Sequence, residues 1–263
     1  MGAAERKKAR QASSKRAPPA TTWKEHVPKG YALLVFGDVA MAFLWVFSNA
    51  IMRVAIDLGF PYMESSTRQL LKRASAVGLI FLFYGLSKLA NGSAYNPLTV
   101  IAYFAAGITH YPLYILALRL PAQIIGAMIG TTAAVSCLPI VYKPQMTGPF
   151  LRVHRNTGAI AEGMLSFAVV FIVLLTNFRG PRSGIRKTWI TSISRVYLSS
   201  LGAQYTGPAM NPANAFGWAF LKNQHKTWEH LYVYWIAPIL ATLAAALLVR
   251  AIVTTSKVKL KQN

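Results

Sequence analysis

Apolar runs of membrane-spanning length set the limits for this chain. They lie at about 31–52, 74–90, 110–136, 157–177, 188–205 and 229–252, and most approach the roughly 20 residues that a helix needs to cross the hydrocarbon core. The fifth run is short and carries Arg195. Six spans predict an integral membrane protein with both termini on one side. The N-terminal arm, the loop with Arg179, Arg182, Arg186 and Lys187, and the tail with Arg250, Lys257, Lys259 and Lys261 together hold sixteen Lys and Arg. The opposite loops, 53–73 and 137–156, hold seven. Basic residues gather on the cytoplasmic side, so both termini are predicted to be cytoplasmic.

Two more apolar segments, about 91–107 and 206–222, are too short to span. One opens with "NGSAYNPLTV" and the other contains "TGPAMNPANAFGW". Proline suits the first turn of a helix, where its missing N–H would be unpaired anyway. Each segment therefore reads as a loop that dips into the membrane and starts a half-helix at Asn-Pro. Irregular backbone at membrane depth is tolerated only where protein buries it or a water-filled cavity receives it. The loops follow the second and fifth spans, so they enter from opposite faces. The plainer alternative is a pair of ordinary proline kinks. Against it, the two breaks occupy matching places in two halves, the mark of an inverted repeat. The match extends to "DVAMAFLWVF" from Asp38 and "EGMLSFAVVF" from Glu162. The predicted fold is all-α, with six transmembrane helices and two re-entrant half-helices.

An acid inside a span is costly and has a purpose. Asp38 and Glu162 are predicted to accept hydrogen bonds from the backbone N–H groups of their re-entrant loops. A proton relay is the weaker reading, because neither acid has a His or second acid within its span.

The net charge of +21 raises the question of nucleic acid. Eight of the 28 basic residues lie in residues 1–29, read as a disordered cytoplasmic arm, and most others lie in short loops or the tail. No basic stripe runs along a folded soluble surface, so no nucleic-acid partner is expected. With one cysteine, Cys137, neither an internal disulfide nor a Cys-rich metal site can form. Cys137 is expected to be buried near a helix end. His110, His154, His225 and His230 lie near span ends and read as interfacial, and Trp23, Trp189, Trp228 and Trp235 as an aromatic belt. No phosphate loop or Ser-His-Asp grouping is present, so neither an enzyme nor a cofactor is expected.

On these motifs the chain resembles the aquaporin (major intrinsic protein) family over about 31–252. "RLPAQIIGA", "TGAIAEGMLSF", "YTGPAMNPA" and "WEHLYVYWIAP" make it similar to the plant small basic intrinsic proteins. The resemblance implies a channel domain over 30–252, flanked by the arm at 1–29 and a basic cytoplasmic tail at 253–263, and a homotetramer in the lipid bilayer. It implies two half-helices meeting near the bilayer centre, with Asn96, Pro97, Leu98 and Asn211, Pro212, Ala213 at the pore constriction. There the positive helix ends oppose cations, and the two asparagines offer N–H donors to passing water. The narrow filter maps to Ala76, Ser199, Pro208 and Asn214. Two departures stand out. Leu98 replaces the usual Ala, and Asn214 replaces the Arg of water-selective members. The filter is expected to be wider or less polar and without a fixed charge, which suits water and small neutral solutes. A non-conducting membrane protein of the same fold is the alternative.

The chain ends in "KLKQN". Lys259 and Lys261 fit a dilysine retrieval signal of the KxKxx form, or an ordinary basic tail. The resemblance favours retrieval and an endoplasmic reticulum location.

Overall fold

The computed structural model describes residues 30–138, 142, 143, 146 and 148–262, with the backbone alone over 255–262. The arm at 1–29, with Trp23, and the side chains of Lys259 and Lys261 lie outside the described residues. In chain order the helices are α1 (Tyr31–Gly59), α2 (Ser65–Leu89), α3 (Pro97–Ala105), α4 (Leu113–Ser136), α5 (Arg155–Arg179), α6 (Gly184–Leu201), α7 (Pro212–Leu221) and α8 (Trp228–Leu231). A π-helical turn over Tyr232–Ile236 then leads into α9 (Ala237–Gln262).

Among the described residues, five stretches are long and apolar enough to cross a membrane: α1, α2, α4, α5 and Trp228–Thr254. The remaining long helix, α6, carries Arg186, Lys187 and Arg195 and falls short on apolarity. Helix ends overrun the apolar runs where charge can be accommodated. α1 continues past 52 to Gly59 and α2 starts at Ser65 rather than near 74. Lys72 Nζ lies 2.6 Å from Asp57 Oδ1 and so pairs the two extensions. Helical backbone also runs on to Gln262, beyond the apolar end near 252.

The packing repeats. α1 lies against α4, and α5 against α9. Each short helix docks on the last long helix of the other half, α3 on α9 and α7 on α4. Small residues permit the close approach. A Cβ on Gly126 would collide with the Val39 carbonyl, and one on Gly217 would lie 2.7 Å from the Ala127 oxygen. The core gathers Met41, Trp45, Val46, Phe83, Ala127, Ala213 and Trp218, with Trp45 stacked 4.1 Å from Tyr95. Leu33, Phe36, Leu82, Met164, Leu240 and Leu247 are exposed, the arrangement a bilayer solvent favours.

Two expectations are corrected. Cys137 is exposed, because it caps α4 one residue past the helix that Ala134 packs into the core. His230 is buried rather than interfacial. Trp235 Nε1 donates to its Nε2 at 3.3 Å, and the Phe216 ring lies 5.9 Å away.

Candidate pore

Pro97 and Pro212 open α3 and α7 at the first turn, with Asn96 and Asn211 as their N-caps. Asn96 Oδ1 accepts from the Leu98 N–H at 3.0 Å, and Asn211 Oδ1 from the Asn214 N–H at 3.3 Å. The nitrogens cross over. Asn96 Nδ2 donates to the Met210 carbonyl at 2.8 Å, and Asn211 Nδ2 donates to the Tyr95 carbonyl at 3.0 Å. Each amide thus closes its own helix with its oxygen and holds the opposite loop with its nitrogen. Only Asn or Gln carries a donor and an acceptor in this way, and Asp would lose the donor. Met210 has φ 42°, in the left-handed region that a non-glycine side chain rarely adopts. That turn is what sets the carbonyl received by Asn96.

The buried acids pin the loops from behind. Asp38 Oδ1 accepts from the Ala94 N–H at 2.7 Å. Glu162 Oε1 accepts from the Ala209 N–H at 2.8 Å and the Thr206 hydroxyl at 3.0 Å, and Oε2 accepts from the Met210 N–H at 3.2 Å. Asp38 also has a cation. Arg119 Nε lies 2.6 Å from Oδ2, and another guanidinium nitrogen donates to Oδ1 at 2.8 Å. Gln123 Nε2 adds a bond to Oδ2 at 3.0 Å. At the π turn, the Tyr234 hydroxyl donates to the Thr206 carbonyl at 2.9 Å. Arg119, Gln123 and Tyr234 were missed in the sequence reading, although Arg119 was visible as a charge within an apolar run.

Two cavities flank the crossed asparagines. The larger, about 500 Å³, lies on the α7 side, and Ala76, Ser199, Pro208 and Asn214 all line it. The smaller, about 40 Å³, is walled by Asn96, Leu98, Ser166, Val170 and others. Asn211, Pro212 and Ala213 are buried and form no part of either wall, and Pro97 is likewise buried. Ser166 Oγ has no described protein partner and faces the small cavity, a place for a hydrogen-bonded water. Arg195 and Met210 line both cavities. The four expected filter positions carry no charge, but the Arg195 guanidinium stands in the same wall.

A family model described as major intrinsic protein matches residues 34–249. Aquaporin SIP1-2 of Zea mays is 41% identical over 227 residues, 85% of this chain and 93% of that protein. Aquaporin SIP1-1 of Arabidopsis thaliana is 42% identical over 220 residues, 82% of this chain and 90% of its own length. Among solved structures, the aquaglyceroporin from Plasmodium falciparum aligns with a TM-score of 0.65, covering 84% of this chain and 96% of that one. Its 14% identity makes this a likeness of fold.

Proposed function

Because the chain belongs to the major intrinsic protein family, a family of membrane channels rather than enzymes, we propose that it conducts water along the line joining its two cavities, and that small neutral solutes pass less readily. The observation that carries this reading is the reciprocal bonding of Asn96 and Asn211 to the opposite loop. It holds both half-helix N-termini at one level, where their positive ends oppose cations. Cavity size supports water over larger solutes. A cavity needs roughly 10–15 Å³ to hold one water. The 40 Å³ cavity beside Leu98 therefore has room for a few waters, whereas the 500 Å³ cavity on the filter side is permissive. Selectivity by size then resides near Leu98, and the uncharged positions Ala76, Ser199, Pro208 and Asn214 form a wide entrance. The narrowness of the small cavity is also the one feature that favours the non-conducting alternative.

The test is osmotic swelling of reconstituted vesicles with water, glycerol and hydrogen peroxide, for the wild type and Asn214→Arg. A guanidinium at 214 narrows the entrance and adds a planar fork of donors. Glycerol flux falls more than water flux if Asn214 lines the passage. No change in either flux would remove Asn214 from the filter, and wild-type vesicles no faster than protein-free ones would refute conduction.

The same proposal includes a homotetramer in the endoplasmic reticulum membrane, with both termini cytoplasmic. It rests on the family resemblance, the distribution of basic residues and the C-terminal Lys259 and Lys261. Changing both lysines to Ser in an internally tagged protein should release it toward the cell surface. A double variant that stays reticular would refute the retrieval signal.

A further inference from the structure

Arg195 is the charge that the filter reading did not place. It lies one helical turn before Ser199 on α6, and residues four apart share a helix face. Both line the large cavity, and Arg195 also lines the small one. The guanidinium therefore stands at the neck between them. Its described contacts are weak. One nitrogen lies 3.5 Å from the Met210 carbonyl, and the cation is 5.9 Å from the Trp45 ring centroid. Among the described residues no carboxylate lies within ion-pairing distance of it. Glu162 acts on it through space, and the oxygens of that acid are already engaged by Thr206, Ala209 and Met210.

The surroundings reinforce the sign. Arg53, Arg73 and Arg152 share the wall of the large cavity. Its one carboxylate, Asp57, is paired with Lys72 at 2.6 Å. A cation entering from the α7 side thus meets growing positive potential, and focusing by low-dielectric walls sharpens it. At the neck it would have to pass a half-buried guanidinium.

We propose that Arg195 is the charge-selectivity residue of the passage, rejecting cations at the neck and supplying from α6 the fixed charge that Asn214 does not carry. This rests on the channel reading above. The role is electrostatic, so it needs a positive charge at 195 and not the guanidinium shape.

The experiment measures sodium conductance and osmotic water permeability on the same reconstituted protein, for the wild type, Arg195→Gln, Arg195→Met and Arg195→Lys. The readout is the ratio of sodium to water permeability, because loss of folded protein lowers both terms. Removing the charge should raise the ratio at least about tenfold in the Gln and Met variants, while Lys should keep it within about twofold of wild type. Either neutral variant suffices if the other does not fold. Neutral variants that pass water and stay as sodium-tight as wild type would overturn the inference and leave the channel reading intact. A Lys variant as leaky as Gln, or a wild type that itself conducts sodium, would also overturn it. If the wild type passes no water, the channel reading fails and this inference falls with it.

Discussion

The two halves pin their re-entrant loops with an acid at the same register, yet with different chemistry. In the first half the carboxylate of Asp38 is gripped by Arg119 on two sides, by Gln123, and by one loop N–H at Ala94. Arg119 reaches on to the Gly92 carbonyl at 3.1 Å, so the cation holds both acid and loop. In the second half Glu162 has neutral donors only, two loop N–H groups and the Thr206 hydroxyl. Tyr234 secures that loop from the last long helix. Asp38 and Glu162 are both fully buried, and Arg119 nearly so. The difference teaches where a charge is affordable. The first acid is paired with a buried cation, while the second is held by neutral donors and meets Arg195 only through space.

Matched neutralisation is the sharpest way to break this comparison. Asp38→Asn leaves Arg119 buried without its partner, and breaking a buried pair costs about 3–5 kcal/mol. Glu162→Gln keeps an oxygen for Thr206 and Ala209 and loses the acceptor for the Met210 N–H, a cost of about 1–3 kcal/mol. Thermal unfolding of the purified variants in detergent should therefore rank Asp38→Asn well below Glu162→Gln. Equal costs would mean that the ion pair does not distinguish the halves. Replacing both Asp38 and Arg119 with apolar residues, Asp38→Leu with Arg119→Met, should recover much of the loss.

Leu98→Ala makes the first motif match the second. Leu98 is buried among α3 and the small cavity's walls. The truncation should cost about 2–4 kcal/mol and enlarge that cavity, raising glycerol flux relative to water. Unchanged glycerol flux would move the size limit away from Leu98. The smallest effect is expected from Tyr234→Phe, which removes one bond to the second loop and costs about 0.5–1.5 kcal/mol. Its unfolding should fall by that amount with the ratio of sodium to water permeability unaltered.

What the sequence made legible was local or repeated. Asn-Pro marks a helix start through backbone chemistry, so α3 and α7 begin where proline puts them. The expected filter positions Ala76, Ser199, Pro208 and Asn214 fall in one wall because helix and loop spacing carry them there. Asp38 and Glu162 were visible as acids in apolar runs. Arg119 was equally visible, but its partner is 81 positions away, and no periodicity links them. Arg195 was seen only as a blemish on the fifth run. Its spacing of four from Ser199 places both on one helix face, so it was within reach of the sequence. The crossed bonds of Asn96 and Asn211 lay beyond it, because they require two loops to meet at one level.

The central claim is that water crosses between those two loops. It is tested most directly by the swelling rate of vesicles carrying the purified wild-type protein, measured over a range of temperatures. The account predicts swelling faster than protein-free vesicles, with a shallow temperature dependence, because water in a preformed passage does not have to dissolve in lipid. A rate and a steep temperature dependence equal to those of the bare bilayer would contradict it.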